Sequence, residues 1–295
     1  MASLRDIRKR IKSVKNTQKI TKAMKMVSAA KLRRAQDRVV AARPFADKIA
    51  HTAAALARRA EAAGEAVHPL LVARPEAKKG GRIELLVLTS DRGLCGAFNS
   101  NIVRRALRFR FDNKSIHAQV RLSTVGRKAA EGMKREKVEV RKHYDSVLDK
   151  LNYKAAQEIA FELAAAYEKG EIDALHIVYN EFVNAATQRV IVDQVLPIQP
   201  VEVKEGETLV DYAYEPGRET LLSELLPRQL ATRIYRALLE SQAAEHAARM
   251  SAMDNASRNA KEMVDTLTLT YNRVRQAAIT KELMEIIGGA EAIKG

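Results

Sequence analysis

The sequence predicts an α/β protein with a long antiparallel coiled coil. Its N- and C-terminal helices form a rod, with a central Rossmann-like α/β domain inserted between them. Three observations carry that expectation. Both chain ends repeat apolar residues at helical spacing over long stretches. The middle alternates short β-branched runs with helical ones. Proline and glycine cluster where these patterns change.

Residues 3–60 read as one helix. Leu4, Ile7, Ile11 and Val14 are spaced by three and four, and Leu32, Ala35, Val39, Ala42, Ala46, Ile49, Ala53, Leu56 and Ala60 keep that alternation. This is the seam of a coiled coil. At Asn16-Thr17-Gln18 the seam turns polar, and Ile20, Met24 and Val27 are expected to continue on a shifted stripe. Pro44 is expected to kink or end the helix, because it lacks an amide donor and crowds the preceding turn. Unbroken, the segment would be about 85 Å long.

Residues 220–287 read as a second long helix. Leu222, Leu225, Leu226, Leu230, Ile234 and Leu238 start its stripe, and Leu267, Tyr271, Val274 and Ala278 continue it. The intervening Ala- and Ser-rich stretch admits a closely packed partner. Pro227 falls near the expected start, where the first turn tolerates it. Gly288-Gly289 is the expected stop. Neither helix can bury its seam alone, so the two are expected to pair antiparallel.

Between them, strands are expected at Ile83–Leu88, Val120–Val125, Leu175–Tyr179 and Arg189–Leu196. Helices are expected at Ser100–Phe111, Arg127–Arg135 and Tyr153–Tyr167. Strands alternating with helices build a mainly parallel sheet. Residues 61–81 link into this domain and 201–218 link out of it. The segments are then a coiled-coil helix at 1–60, an α/β domain at 82–200, and a final segment ending at 287.

The 295-residue chain carries a net charge of +15, and its placement is uneven. Residues 1–60 hold 17 Lys/Arg against 3 Asp/Glu, nearly the whole excess. Such a helix calls for an acidic partner: a protein, nucleic acid or an anionic membrane surface. No apolar run is long enough to cross a bilayer, and the charged start MASLRDIRKR is no secretory signal. One cysteine, Cys95, excludes an internal disulfide and a cysteine-built metal site. The six histidines form no metal-ligand spacing, so no metal site is expected.

One glycine-rich turn, Thr89-Ser90-Asp91-Arg92-Gly93-Leu94-Cys95-Gly96-Ala97-Phe98, follows a strand and precedes a helix. Such a turn can hold phosphate on backbone amides, although it matches neither common nucleotide-binding fingerprint. Gly93-Leu94-Cys95-Gly96-Ala97 also has the outline of a nucleophile elbow, with His117, His143 and His176 in the same domain as possible bases. A tight structural turn with a small buried cysteine is the plainer reading. The basic helix could grip nucleic-acid phosphates, but it has no aromatic before Phe45 and no recognisable DNA-binding motif.

Three long motifs carry a specific resemblance. They are Ile11-Lys12-Ser13-Val14-Lys15-Asn16-Thr17-Gln18-Lys19-Ile20-Thr21-Lys22-Ala23-Met24-Lys25-Met26-Val27, Ser90-Asp91-Arg92-Gly93-Leu94-Cys95-Gly96, and Tyr271-Asn272-Arg273-Val274-Arg275-Gln276-Ala277-Ala278-Ile279-Thr280-Lys281-Glu282-Leu283. Lying at the start, middle and end of the chain, they resemble the gamma subunits of F-type ATP synthases. The resemblance implies a non-catalytic central rotor shaft without a cofactor, turned by proton flow and driving ATP synthesis or hydrolysis in the beta subunits. The implied partners are the alpha and beta subunit hexamer, the epsilon subunit and the c-subunit ring, with no nucleic acid. The implied location is peripheral, on the cytoplasmic face of a bacterial inner membrane, in keeping with the absence of a transit sequence. The alternative function is a basic coiled-coil nucleic-acid-binding or scaffold protein.

Site residues follow from the resemblance position by position. Met24 matches the place near an acidic loop of beta, and Lys25 follows it where some relatives carry Glu. Arg249, Gln276, Thr280 and Glu282 match positions that contact the hexamer or affect coupling. Tyr212, Tyr214 and Glu215 resemble the foot on the c-ring, which makes 211–287 a foot plus C-terminal coiled-coil helix. Ile279, Leu283, Ile286 and Ile287 form an apolar tip that would turn in the apical bearing of the hexamer.

Overall fold

The computed structural model describes residues 3–62, 64, 67–77, 79–145, 147–148, 151–199 and 217–294. The first element is α1 (Leu4–Ala62), followed by short 3-10 turns at Pro69–Leu71 and Pro75–Ala77. The middle contains β1 (Arg82–Leu88), α2 (Phe98–Asn113), β2 (Gln119–Val125), α3 (Arg127–Arg135), β3 (Lys142–Tyr144), α4 (Tyr153–Glu168), β4 (Ala174–Phe182) and β5 (Gln188–Leu196). The chain closes with α5 (Arg218–Lys294). Two compact units result: Met1–Ser28 with Arg249–Gly295, and Ala29–Ala248.

The larger unit holds a five-stranded sheet in the order β3-β2-β1-β4-β5. β1 lies parallel to both β2 and β4, β2 is parallel to β3, and β5 is antiparallel to β4. Helical crossovers between parallel strands produce this doubly wound order. The sheet is covered on both faces, so β1 is almost wholly buried and reads as an apolar run. β3 was not expected: three residues, Lys142–Tyr144, are too few to show an alternation.

α1 stays helical through Pro44, so the helix does not end there. Val39 before it and Ile49 after it are both buried, so packing on either side offsets the one lost backbone bond. Pro227 also lies inside a helix rather than in its first turn, because α5 begins at Arg218. Leu222, Leu226 and Leu230 are buried around it. Each contributes roughly 1.5–3 kcal/mol, enough together to exceed the proline penalty of about 3 kcal/mol. The expected stop at Gly288-Gly289 is also absent, since α5 continues to Lys294. Two glycines cost about 1 kcal/mol each in a helix interior, and here helix-forming residues flank them on both sides.

The seam of α1 does not shift. Val14, Gln18, Thr21, Lys25, Ser28 and Leu32 keep the alternation of four and three, and Thr21 and Ser28 are buried. Ile20 and Val27, placed on the seam from sequence, are 60% and 56% exposed. The register set by the flanking apolar heptads carries polar residues through the seam. Thr21 tolerates this because its hydroxyl donates to the carbonyls of Thr17 and Gln18, both at 3.0 Å.

Candidate functional site

The two ends of the chain hold most of the candidate residues. Arg8 Nη2 donates to the Tyr271 hydroxyl at 2.7 Å, and its guanidinium stands over the same ring. Further along, Lys25 Nζ meets Asp254 Oδ1 at 2.6 Å. Going from the first contact to the second moves equally far forward along α1 and backward along α5, which defines an antiparallel pair. On α5 the inward positions Met253, Ser257, Ala260, Val264, Leu267, Tyr271 and Val274 keep four–three spacing. The hydrogen bond from Lys25 holds the Asp254 carboxyl below the usual carboxylate range, helped by the charges of Lys25 and Arg258.

α1 starts at Leu4, so at this register the pairing gives out just past Val274. From Arg275 to Gly289 every residue of α5 is exposed. Four of them are large and apolar: Ile279 and Leu283 at 55% exposure, Ile286 at 67% and Ile287 at 48%. Gln276, Thr280 and Glu282 belong to the same stretch, and the Thr280 hydroxyl donates back to the Gln276 carbonyl at 3.0 Å. Met24 and Arg249 are half-buried on the paired part. The structure therefore places Ile279, Leu283, Ile286 and Ile287 with Gln276, Thr280 and Glu282 on one unpaired stretch. Met24 and Arg249 lie apart from it. Tyr212, Tyr214 and Glu215 lie outside the described residues.

The glycine-rich turn proves structural. In a doubly wound sheet, ligands settle beyond the carboxyl ends of the strands where the strand order reverses, here between β1 and β4. That place is filled. Cys95 and Phe98 pack with Val87, Val178 and Ala244 of α5 in one buried cluster, and Ala248 lies against it. Ser90 donates from its hydroxyl to the Arg92 carbonyl and from its backbone to Asn99 Oδ1, while Asn99 Nδ2 donates to Cys95 Sγ at 3.2 Å. Asp91 accepts from the backbone of Arg127 and so ties the turn to α3. Leu94 and Gly96 take positive φ values of 62° and 57°, which let the chain reverse.

Of the three histidines expected as possible bases, two contact other side chains. His143 Nδ1 is 2.8 Å from the Thr124 hydroxyl and its Nε2 is 3.1 Å from Asp145. His176 packs against the Phe109 ring, and burial lowers its pKa to about 4. His117 lies at the sheet edge between α2 and β2, and burial lowers its pKa as well. Among the described residues no group of three His, Cys, Asp or Glu could hold a metal ion. No helix there is long and apolar enough to cross a membrane.

Sequence reasoning missed two features of the larger unit. Glu84, fully buried on β1, pairs with Arg141 at 3.0 Å. Asp193 on β5 accepts from Arg233 on α5 at 3.0 Å, and Tyr153 on α4 meets Tyr235 edge to face, so side chains of the domain clasp α5. A charged residue inside the apolar run Ile83–Leu88 was the available signal for the first. The second had none, because strand and helix partners are distant in sequence.

Comparison with known proteins follows the same outline. Residues 3–293 match the ATP synthase family. The ATP synthase gamma chain of Anaeromyxobacter sp. (strain K) is 52% identical over the full length of both chains, and that of Geobacter sp. (strain M21) is 49% identical, again over both full lengths. Among solved structures, a chain of the central stalk and c-ring of Tetrahymena thermophila mitochondrial ATP synthase is 28% identical, with a TM-score of 0.58. It covers 81% of this chain and 99% of its own. A chain of the Euglena gracilis mitochondrial ATP synthase is 20% identical with a TM-score of 0.67, covering 98% of this chain and 94% of its own, and so shares the fold. None of these matches supports a nucleic-acid-binding or scaffold role. The chain belongs to the gamma-chain family of ATP synthases.

Proposed function

We propose that this chain is the central rotor shaft of an F-type ATP synthase, a non-catalytic subunit that couples proton flow to ATP synthesis or hydrolysis in the beta subunits. It works with other ATP synthase subunits as a peripheral member of a membrane complex. The observation that carries the mechanical reading is the end of α5. A helix that outruns its partner and leaves Ile279, Leu283, Ile286 and Ile287 uncovered needs an apolar sleeve from outside the chain. The top of an alpha and beta subunit hexamer is the sleeve we assign.

The remaining roles follow from the family. Met24, Arg249, Gln276, Thr280 and Glu282 meet the hexamer and transmit coupling. The excess positive charge of α1 faces acidic loops of beta, which favours guidance over deep, sticky contacts. Tyr212, Tyr214 and Glu215 rest on the c-subunit ring beside epsilon, on the cytoplasmic face of a bacterial inner membrane. Functionally the chain divides into the helix at 1–60, the α/β domain at 82–200, and the foot with the C-terminal helix at 211–287. No nucleic acid takes part. Regulation of ATPase activity and proton flow passes through the same contacts.

The tip offers the test. Ile279→Asp with Leu283→Asp should leave the isolated chain folded, because both side chains are exposed. In the reconstituted complex it should lower assembly or ATP-driven turnover severalfold. Ending the chain after Ile287 should be mild, because the sleeve contacts are kept. Equal assembly and turnover in the two variants would refute the bearing.

A further inference from the structure

The α/β domain has a basic cleft that the rotor reading does not use. β3 pairs only with Ser123–Val125, so the first half of β2 borders open space rather than a neighbouring strand. A cavity of about 360 Å³ occupies that border, lined by Arg110 and Lys114 from α2, His117, Arg121, Glu139 and Arg141. This volume falls at the small end of ligand pockets, which run roughly 300–1,000 Å³.

The charges there are unbalanced. Arg141 is matched by Glu84 at 3.0 Å. Arg110, Lys114 and Arg121 have no acidic partner among the described residues. Glu139 is the one carboxylate in the lining and offsets part of that charge. Against the cavity stands His117, 8% exposed, whose Nδ1 is buried without a hydrogen-bond partner. A buried polar nitrogen left unpaired costs stability unless something meets it. Burial also keeps this ring neutral near pH 7, so it can offer one N–H donor without adding a charge. Three flexible cations around one buried neutral donor suit a compact, multiply charged oxyanion.

We infer that this cleft binds a phosphate group, held by Arg110, Lys114 and Arg121 and received at its inner end by the His117 imidazole. The group could belong to inorganic phosphate, a nucleotide or a phospholipid headgroup, which share this chemistry. The site is independent of the rotor assignment and lies away from the filled turn at Thr89–Phe98.

Calorimetric titration of the full-length chain with inorganic phosphate at low ionic strength tests it. One-to-one binding near or below about 1 mM is expected, weakening as salt rises. Arg121→Ala and Lys114→Ala should each weaken it about tenfold, and Glu139→Gln should tighten it. These side chains reach the surface, so folding should survive, and circular dichroism checks that. In nitrogen NMR the His117 Nδ1 resonance should move on phosphate addition, and in the Arg121→Ala chain the same shift should need about tenfold more phosphate. Parallel titrations with ADP and with vesicles containing phosphatidylglycerol identify the source: the tightest ligand that Arg121→Ala weakens is the natural one. No binding of any of the three, or binding indifferent to all the variants, would overturn the inference.

Discussion

Replacing Arg141 by Met should unlatch the centre of the α/β sheet. Glu84 is fully buried on β1, its Oε1 accepts from Arg141 Nε at 3.0 Å and from the Ser123 hydroxyl, and its Oε2 has no partner. The substitution keeps the apolar stem and removes the charge, leaving a carboxylate with one hydroxyl donor. At an effective dielectric constant of 20, two charges near 4 Å attract by about 4 kcal/mol. Breaking a buried pair costs about 3–5 kcal/mol, because the surviving charge stays desolvated. The Arg141 side chain is 29% exposed, and water reaching its outer edge brings the expectation to the lower end, about 3 kcal/mol. Hydrogen exchange of the Leu85–Val87 amides, in the strand that carries Glu84, reads this locally without assuming that the whole chain unfolds in one step. Adding Glu84→Gln to the variant should restore more than half of the loss, since no charge then remains to be paired. An Arg141→Met chain within 1 kcal/mol (roughly a fivefold change in exchange) of the parent would refute this account of the sheet.

Two further outcomes concern the same domain. Gly126 has φ +89°, and a β-carbon there would lie 2.5 Å from the Thr89 carbonyl oxygen, so Gly126→Ala should lower the domain's melting temperature by several degrees; an unchanged melting curve would contradict the geometry. His176 has its pKa lowered by burial to about 4, so the unfolded chain binds a proton between about pH 6.5 and 4 that the folded chain refuses. Stability should therefore fall as pH drops through that window, by roughly 3 kcal/mol in all. His176→Gln should flatten that limb in acid denaturation, and an unaltered acid profile would argue against it.

The long helices and most of the strands were legible because each rests on a local period, whereas the order of the strands in the sheet was not read. The seam from Leu32 to Ala60 and the strands at β1, β2, β4 and β5 were read from residue spacing and composition. The polar part of the α1 seam was misread because Ile20 and Val27 look like core, whereas register is a property of the whole helix and overrides two apolar residues. Pro227 and Gly288-Gly289 misled for a related reason: each penalises one or two positions, while neighbouring residues hold the helix on either side. The unpaired tip was visible as apolar residues near the chain end. Its lack of a partner became visible only once Arg8–Tyr271 and Lys25–Asp254 fixed the register. The basic cleft had no sequence signature, since Arg110, Arg121 and Glu139 come together through the open edge of β2.

Direct observation of rotation tests the central claim. Cys95 is 1% exposed and bonded within its turn, so a probe belongs elsewhere, at an exposed position of α2 such as Asn101→Cys. With the chain assembled into an immobilised alpha and beta subunit hexamer and supplied with ATP, the probe should turn in one direction in steps of about a third of a revolution, as three catalytic sites firing in sequence on one asymmetric shaft require. A hexamer that assembles with this chain and hydrolyses ATP while the probe stays fixed would contradict the shaft.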